Sequence, residues 1–365
     1  MDVTKFFVPW FDKIKPYTTD DIAMAWQNPE LHRMFVNENP VAPSEKVVEA
    51  VANAVRLGNR YPDNGVRVRK KIAQRHKVSP DNVYIGNGSS EIIELMCRLF
   101  LTSSDEILLP NPIFSLYELR ALNVGANPVS IDVTSDMQYD TDAMLAAITP
   151  KTKLMVLCNP NNPTGGFIPD EDIKRLLEAG IPTLFDEAYL DYHRDHESKD
   201  YMIEEYPNMV VSHTFSKAYG MAGIRFGYAL ADEKIIQAFR KIQIPWTASL
   251  LSIAAAEAAL DDMEELQKKI DYNNGQIRYI HEELSKVKGL KPFFSYGNYM
   301  IVDATDLGVN GQDVVDYLFE TRKIMIKAVK TLKDRPGIFR ISVGKTEENK
   351  ACLDGIKEFF AARER

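Results

Sequence analysis

Short apolar stretches alternate with segments of helical periodicity from about residue 45 to residue 255, and this alternation limits the folds open to the chain. Each stretch has the length and composition of a buried strand and is bounded by turn residues. Strands that are separated by helices pair in parallel and need helices on both faces of their sheet. The pattern therefore predicts an α/β fold with a mostly parallel seven-stranded sheet, formed by residues 82–85, 106–109, 127–131, 153–158, 183–186, 209–214 and 225–230.

A second, smaller α+β unit is predicted from the last third of the chain. Residues 263–287 form a long, charged and periodic segment that ends before Gly289. A strand–helix–strand pattern follows over residues 299–344, and a last helix is predicted over 347–362. A length of 365 residues is also typical of about two domains.

One lysine lies in an environment that is unusual for a surface charge. Lys217 is surrounded by small residues and followed by Arg225, with apolar strands on either side. A lysine that is desolvated beside another cation has a lowered pKa, and its neutral amine can form a Schiff base. The hydroxyls of Thr214 and Ser216, with the Arg225 guanidinium, suit a phosphate group. Together these features indicate pyridoxal phosphate (PLP), although a lone Ser-Lys pair is more often a solvated surface feature.

An aspartate follows the apolar run Ile181–Phe185 at the end of a predicted parallel strand. Side chains at this position point into the crevice where open α/β sheets bind ligands. A carboxylate at Asp186 would keep the pyridine nitrogen of PLP protonated, so that the ring accepts electrons from the substrate. Tyr189 would reach the phenolate oxygen of the ring. The alternative is that Asp186 caps a helix that follows the strand.

A rigid turn follows the predicted strand at 153–158. Its sequence is Asn159-Pro-Asn-Asn-Pro-Thr-Gly165, and Asn162 can donate an amide proton to the phenolate oxygen of PLP. Asn-Pro and Gly are also the commonest residues of ordinary turns, which is the alternative interpretation.

Three strings in this order carry a family resemblance: Asn161-Asn-Pro-Thr-Gly165, Asp186-Glu-Ala-Tyr189 and Ser216-Lys-Ala218. The chain resembles the fold-type I PLP-dependent aminotransferases and, among them, the histidinol-phosphate aminotransferase group. The resemblance extends from Asn37-Glu-Asn-Pro40 to Arg340-Ile-Ser-Val-Gly344. It implies a PLP-dependent transaminase in which Lys217 carries the cofactor and is the general base, with a 2-oxo acid such as 2-oxoglutarate as acceptor.

The resemblance also implies further cofactor contacts. Backbone N–H groups of Gly88, Ser89 and Ser90, at the start of a predicted helix, would hold the phosphate. Phe114 would stack on the pyridine ring, although phenylalanine is also a common core residue. Tyr61 matches a tyrosine that crosses into the neighbouring subunit in this family and contacts the phosphate there. A homodimer with shared active sites is therefore implied, unless Tyr61 is simply a strand-edge residue.

Substrate contacts are implied at Arg340, Lys327, Tyr17 and Asn37. Arg340 lies in an alternating strand pattern, where a guanidinium needs an anion, either a substrate or a structural salt-bridge partner. Lys327 stands where the group usually has arginine, and Tyr17 is not followed by the usual Pro-Gly. Trp246 is expected beside the substrate channel. The amino donor is therefore expected to be anionic: histidinol phosphate, or an amino acid with a bulky or aromatic side chain.

Two other activities stay open at this point. One is a PLP-dependent decarboxylase or lyase on the same fold, similar to the threonine-phosphate decarboxylases, because substrate orientation decides which bond at Cα is broken. The other is a non-enzymatic phosphate-binding regulator, which would have no use for Lys217. The resemblance further implies a large PLP-binding domain over residues 41–262 and a small domain that joins residues 1–40 to residues 263–365.

Bulk properties exclude several classes of partner. A net charge of −8 disfavours binding to nucleic acid or to an anionic membrane surface. No apolar run approaches the length of a membrane span, and the N-terminus lacks the long apolar core of a secretory signal. The six histidines show no metal-ligand spacing. The three cysteines, Cys97, Cys158 and Cys352, are typical of reduced thiols, so a cytoplasmic enzyme is expected.

Overall fold

The computed structural model describes residues 1–193 and 197–363, so His196 lies outside the described residues. Within those two ranges the chain forms thirteen strands and twelve α-helices. The strands are β1 (His32–Arg33), β2 (Val83–Gly86), β3 (Glu106–Asn111), β4 (Asn127–Asp132), β5 (Thr152–Cys158), β6 (Thr183–Asp186), β7 (Met209–Thr214), β8 (Gly227–Ala231), β9 (Lys291–Phe293), β10 (Tyr299–Asp303), β11 (Ile324–Met325), β12 (Lys327–Ala328) and β13 (Ile338–Ser342). The helices are α1 (Asp20–Gln27), α2 (Glu45–Val55), α3 (Val66–His76), α4 (Ser89–Phe100), α5 (Leu116–Asn123), α6 (Thr141–Ala146), α7 (Asp170–Glu178), α8 (Glu233–Ile242), α9 (Leu250–Leu260), α10 (Met263–Ser285), α11 (Gly311–Arg322) and α12 (Thr346–Ala361).

All seven strands predicted for the large sheet form, in the order β2-β8-β7-β6-β5-β3-β4. Neighbouring strands from β7 to β4 pair in parallel, and β8 is antiparallel to both of its neighbours. The predicted mostly parallel seven-stranded sheet is therefore confirmed. The last strand begins at Gly227 and not at Arg225, because Arg225 has a left-handed backbone (φ 62°) that an extended strand does not contain.

Helices cover both faces of this sheet, and the strand residues alternate between them. Leu154 and Val156 pack into an apolar cluster with side chains from α4, α5 and α8. Met155 and Leu157 point the other way, into a cluster that includes side chains from α3, α7 and α9. The period of two along β5 thus accounts for its continuous apolar sequence, since a strand buried on both faces has no polar side.

The carboxyl ends of β5, β6 and β7 lie side by side. Cys158 pairs in register with Asp186, and Asp186 pairs with Ser212. The ladder continues beyond the strands, because the Asn159 amide donates to the Asp186 carbonyl at 2.8 Å. This register brings the turn after β5, the residues after β6 and the loop after β7 to one edge of the sheet.

The C-terminal part of the chain folds around a four-stranded antiparallel sheet in the order β12-β13-β10-β9. Side chains from α10, α11 and α12 form its apolar core with β10 and β13. The N-terminal segment joins this part through the parallel pair β1–β11. The division into domains at residues 41 and 262 stays a prediction. Among the helices of the described ranges, none has both the length and the apolar character that a membrane crossing requires.

Substitution of Phe339 tests whether the apolar core lies on the helix-covered face of the four-stranded sheet. Phe339 is fully buried on β13, whereas Phe294 is 41% exposed just after β9. Phe339→Ala should lower the free energy of unfolding by about 3–5 kcal/mol, because it removes buried surface and leaves a cavity. Phe294→Ala should change it by about 0.5 kcal/mol or less. Urea unfolding of both variants measures the difference, and equal losses would contradict this assignment of the core.

Candidate active site

A cavity of about 1000 Å³ lies where the carboxyl edge of the large sheet faces the C-terminal part and the N-terminal segment. Every predicted site residue except Tyr61, Gly88 and Trp246 lines it. These residues are Tyr17, Asn37, Ser89, Ser90, Phe114, Asn162, Asp186, Tyr189, Thr214, Ser216, Lys217, Arg225, Lys327 and Arg340. Residues that are up to about three hundred positions apart in the sequence therefore meet in one space.

The Lys217 side chain is half-buried in the wall of the cavity. Its Nζ donates hydrogen bonds to the carbonyl oxygens of Asn37 at 3.0 Å and of Val36 at 3.4 Å. Desolvation and, next, the nearby Arg340 guanidinium lower the pKa of Lys217 to about 8. A neutral amine is therefore accessible close to physiological pH, as a nucleophile or a general base requires.

Asp186 is 2% exposed, and both of its carboxylate oxygens are fixed. Oδ1 accepts the Ala188 amide at 3.0 Å, and Oδ2 accepts the Tyr117 hydroxyl at 2.6 Å. Burial raises the pKa of Asp186, and the Tyr117 hydrogen bond opposes that rise. The helix-cap alternative is wrong, because the next element in the described chain is a 3-10 turn at Leu190–Tyr192 that is not capped by Asp186.

Asn37 and Arg340 orient the two groups predicted to hold the phenolate oxygen of PLP. Asn37 Nδ2 donates to the Tyr189 hydroxyl at 2.9 Å, and Asn37 Oδ1 accepts from the Ser342 hydroxyl at 2.8 Å. The Asn162 carbonyl oxygen accepts Arg340 Nη1 at 2.8 Å. That bond uses the acceptor end of the Asn162 amide, so its NH₂ group remains as the donor end.

Two glycines permit a close approach of backbone and side chain at the start of α4. A Cβ on Gly88, which has φ +74°, would come within 2.5 Å of Arg225 Nη2. A Cβ on Gly227 would come within 2.5 Å of the Ser89 backbone nitrogen. Only glycine fits at either position, and the amides of a helix N-terminus together with a guanidinium form an anion site.

Hydroxyl groups after β7 complete this anion site. Thr214 Oγ1 donates to Ser216 Oγ at 3.0 Å, and Arg225 Nη1 lies 3.5 Å from Ser216 Oγ. Ser90, in the first turn of α4, lines the same space. The set of donors suits a phosphate group of the size that PLP carries.

Arg340 and Lys327 supply two further cations to the cavity. Arg340 Nη2 donates to the Phe35 carbonyl oxygen, and Arg340 forms no ion pair with a carboxylate of residues 1–193 or 197–363. The salt-bridge alternative for Arg340 is therefore wrong for this part of the chain. Lys327 is the register partner of Arg340, and desolvation followed by Arg340 lowers its pKa.

Tyr61 lies outside the cavity of its own chain. It is 78% exposed and stacks on Trp246, with ring centroids 4.2 Å apart. The expectation that Trp246 lies beside the substrate channel is wrong for its own chain, because Trp246 lines a separate hollow with Tyr61. Trp246 also has a left-handed backbone (φ 55°), which is uncommon for a bulky residue.

Sequence reasoning missed two features of the cavity. One is Tyr117, which contacts Asp186 and follows Phe114 by three positions, at the start of α5. The other is an apolar wall formed by Ile22, Met24, Trp26, Val315, Phe319 and Met325. Only the three-dimensional packing of α1 and α11 against the cavity reveals that wall.

Known proteins show the same organisation. The model of the family described as aminotransferase class I and II matches residues 31–356. Histidinol-phosphate aminotransferase 1 of Idiomarina loihiensis is 33% identical over 360 residues, which cover 96% of each chain. The crystal structure of histidinol-phosphate aminotransferase from Sinorhizobium meliloti, in complex with pyridoxal-5'-phosphate, is 25% identical with a TM-score of 0.88 and covers 98% of each chain.

The chain belongs to the class I and II aminotransferases. It is a PLP-dependent transaminase, and the sequence-based predictions of the family, the enzyme class and the cofactor are confirmed. L-threonine-O-3-phosphate decarboxylase from Porphyromonas gingivalis shares the fold, with a TM-score of 0.78 over 91% of this chain and 100% of that chain. At 18% identity, that likeness extends to the fold alone.

The cavity of this aminotransferase has the features that PLP requires. It offers a desolvated lysine amine, a buried carboxylate and an anion site in which two glycines leave room for a phosphate. Phe114 lines the same cavity, and its ring meets the edge of Tyr117 at a centroid distance of 5.7 Å. The residues present therefore fit the cofactor.

The lowered pKa of Lys217 predicts a pH dependence of stability in the apoprotein. The unfolded chain binds a proton at Lys217 up to pH 10.5, whereas the folded chain releases it from about pH 8. The unfolded state thus holds more protons in this window, so stability should rise with pH, by at most about 3.4 kcal/mol. Urea unfolding of wild type and Lys217→Met between pH 8 and 10.5 isolates this contribution. Parallel pH profiles of the two proteins would contradict the lowered pKa.

Proposed function

We propose that this aminotransferase transfers the amino group of histidinol phosphate to a 2-oxo acid such as 2-oxoglutarate. The observation that carries the proposal is Arg340, a desolvated cation that faces the cavity beside Lys327 without a carboxylate partner in the described chain. A buried cation of this kind is costly unless an anion is bound, and the donor supplies one. The relatives named histidinol-phosphate aminotransferase, at 31–35% identity, support this choice of donor.

The reaction centre is proposed to contain Lys217, Asp186, Tyr189 and Asn162. Bound PLP supplies an electron sink conjugated to the substrate nitrogen. Lys217 would hold the cofactor at rest, and its amine, once free, would take the proton from the substrate Cα as the general base and return it to complete the proton transfer. Asp186 keeps a proton on the pyridine nitrogen, while the Asn162 amide and the Tyr189 hydroxyl hold the phenolate oxygen.

The remaining residues of the cavity are proposed to bind the cofactor ring, the cofactor phosphate and the anionic group of the substrate. Phe114 stacks on the pyridine ring. Asn37 orients Tyr189, and Tyr17 lies at the mouth of the cavity near the substrate cations. The cofactor phosphate is held by Ser89, Ser90, Thr214, Ser216 and Arg225, and the substrate anion by Arg340 and Lys327.

An amino acid with a bulky or aromatic side chain is the second candidate donor. The apolar wall that includes Met24, Trp26 and Phe319 favours this donor, because an apolar surface packs against a bulky side chain and does not bind a phosphate. Its carboxylate would take the place of the phosphate at Arg340. Decarboxylation is less supported, because the decarboxylase of known structure shares only the fold with this chain.

A donor screen tests the proposal. Histidinol phosphate, phenylalanine and tyrosine are each offered with 2-oxoglutarate, and the keto product, glutamate and carbon dioxide are measured. With histidinol phosphate as donor, we expect glutamate to form and no carbon dioxide to be released. Carbon dioxide with a new amine would show a decarboxylase, and turnover of the aromatic amino acids alone would select the second donor.

Arg340→Ala should lower kcat/KM for the anionic donor by about 10- to 100-fold, since a charge-assisted hydrogen bond contributes roughly 1.5–3 kcal/mol. Bound PLP should barely change, because other residues hold its phosphate. Arg335→Ala is the control, because Arg335 is paired with Asp303 at 2.7 Å and does not line the cavity. If both variants lost activity to the same extent, Arg340 would have no special role in binding the substrate.

We also propose a cytoplasmic homodimer in which the active sites are shared. Tyr61 is exposed and lies outside the cavity of its own chain, which supports its use in the partner's site. The pairing of β1 with β11 supports the grouping of residues 1–40 with 263–365 against a PLP-binding domain at 41–262. The three buried free cysteines support a reducing compartment.

Mixing two inactive chains tests the shared site. Tyr61→Ala and Lys217→Ala should each lose activity, whereas a heterodimer of the two regains one complete site because the defects fall on different sites. An equal mixture should then recover roughly a quarter of the wild-type activity, as expected for random pairing in a two-fold dimer. Tyr201→Ala, an exposed tyrosine away from the cavity, should keep its activity unmixed. A mixture no more active than its parents would assign Tyr61 to its own chain or to no site.

A further inference from the structure

Tyr117 donates a short hydrogen bond to a group that is central to the proposed chemistry. Its hydroxyl lies 2.6 Å from Asp186 Oδ2, and the tyrosine is 1% exposed in the first turn of α5. Desolvation and the adjacent Asp186 charge raise the pKa of Tyr117 well above its usual value. The hydroxyl therefore keeps its proton and acts as the donor, with the carboxylate as the acceptor.

The carboxylate plane of Asp186 is set by two donors from different parts of the chain. The Ala188 amide, at 3.0 Å, belongs to the same strand end, whereas Tyr117 comes from a helix 69 positions earlier. An O–H···O⁻ contact of this length belongs to the stronger class of hydrogen bonds, about twice as strong as one between neutral groups. Rotation of the carboxylate would break one bond or the other, so its free lone pairs keep a fixed direction.

The same hydrogen bond controls how tightly Asp186 holds a proton. Burial raises the pKa of Asp186, and the Tyr117 bond is the largest opposing effect, ahead of the Ala188 amide. In the described chain, the other ionisable groups that interact with this carboxylate include Lys217, Cys158, Tyr139 and Tyr189. Lys217 also lowers the pKa of Asp186, while Cys158 and both tyrosines stay neutral because burial raises their own pKa values.

We propose that Tyr117 is a positioning residue that keeps the Asp186 carboxylate ionised and aimed, so that the proton shared with the pyridine nitrogen of PLP stays on the ring. This inference rests on the proposed function. A carboxylate that already accepts a strong donor is a weaker base, so the proton is held by the nitrogen and not by the oxygen. Without the Tyr117 hydroxyl, the proton moves from the pyridine nitrogen toward the Asp186 carboxylate. The ring is then neutral and becomes a poorer electron sink.

Tyr117 also links this carboxylate to the ring that is proposed to stack on PLP. Phe114 meets Tyr117 edge to face, at an interplanar angle of 87°. The Tyr117 amide donates to the Phe114 carbonyl at 3.3 Å, so both side chains are placed by the same turn. One short segment thus positions a group above the ring and a group that controls its nitrogen.

Tyr117→Phe is the direct test, because it removes one hydroxyl and keeps the ring that contacts Phe114. PLP with an isotope-labelled pyridine nitrogen is bound to the wild type and to the variant, and the nitrogen resonance is recorded by NMR. We expect the resonance of the variant to move toward that of a neutral pyridine. We also expect kcat to fall by about 10- to 100-fold while KM for the amine changes by less than about twofold.

Tyr299→Phe is the matched control. Tyr299 is fully buried, and its hydroxyl also donates at 2.6 Å, but to the neutral backbone carbonyl of Asn161. Both variants lose a buried hydroxyl, so both should lose stability to a similar extent in urea unfolding of the apoprotein. Only Tyr117→Phe should move the nitrogen resonance. Equal movement in the two variants would overturn the proposal, since the effect would then belong to any buried hydroxyl near the cavity.

If the Tyr117→Phe protein does not accumulate, a second substitution that keeps the shape of the side chain provides the test. Fluorotyrosine placed at position 117 alone keeps the shape of the side chain and has a more acidic hydroxyl, which is a stronger donor to Asp186. The nitrogen resonance should then stay at the protonated position, and movement toward neutral pyridine would overturn the proposal. An unchanged resonance in a Tyr117→Phe protein that binds PLP would overturn this inference alone. A wild-type protein that binds no PLP would overturn the proposed function as well.

Discussion

The desolvation of the Lys217 amine is the condition on which the rest of the site depends. Lys217 donates to the carbonyl oxygens of Val36 and Asn37, which belong to the N-terminal segment and not to the large sheet. Asn298, immediately before β10, in turn donates to the carbonyls of Asn37 and Glu38. The N-terminal segment therefore packs between the Lys217 amine and the C-terminal part. This packing contributes to the desolvation that lowers the pKa of Lys217.

The charges around the cavity favour the proposed anionic donor. Arg340 and Arg225 both lower the pKa of Lys217, and the Glu38 and Asp186 carboxylates oppose them. The cofactor phosphate is proposed to pair with Arg225, which leaves Arg340 for the substrate. Because Arg340 also holds the carbonyl end of Asn162, an anion bound there shares its guanidinium with a residue proposed to contact the cofactor. Recognition of the substrate and orientation of the cofactor are thus coupled through one side chain.

The sequence was sufficient for the central sheet and for most residues of the cavity, because both depend on local patterns. All seven strands formed, and the polar residues at the ends of β5, β6 and β7 converge because parallel strands share an edge. Contacts between distant segments were not predictable in the same way. The hydrogen bond from Tyr117 to Asp186 spans 69 positions, and no spacing in the chain indicates it. Trp246 lies outside the cavity of its own chain, where it stacks on Tyr61, and its left-handed backbone is not indicated by the local sequence.

The cavity has two ends of different character, and the departures from the family pattern fall at one of them. The cofactor end consists of buried groups on the ends of strands, such as Asp186 and Thr214, where neighbouring backbone leaves little freedom. The substrate end includes exposed side chains, such as Tyr17, Trp26 and Lys327, from α1, its preceding segment and the C-terminal part. A change at an exposed position costs little stability. Lysine at position 327 and the missing Pro-Gly after Tyr17 therefore fall on the surface that is proposed to bind the substrate, while the groups that are proposed to hold PLP keep their packing.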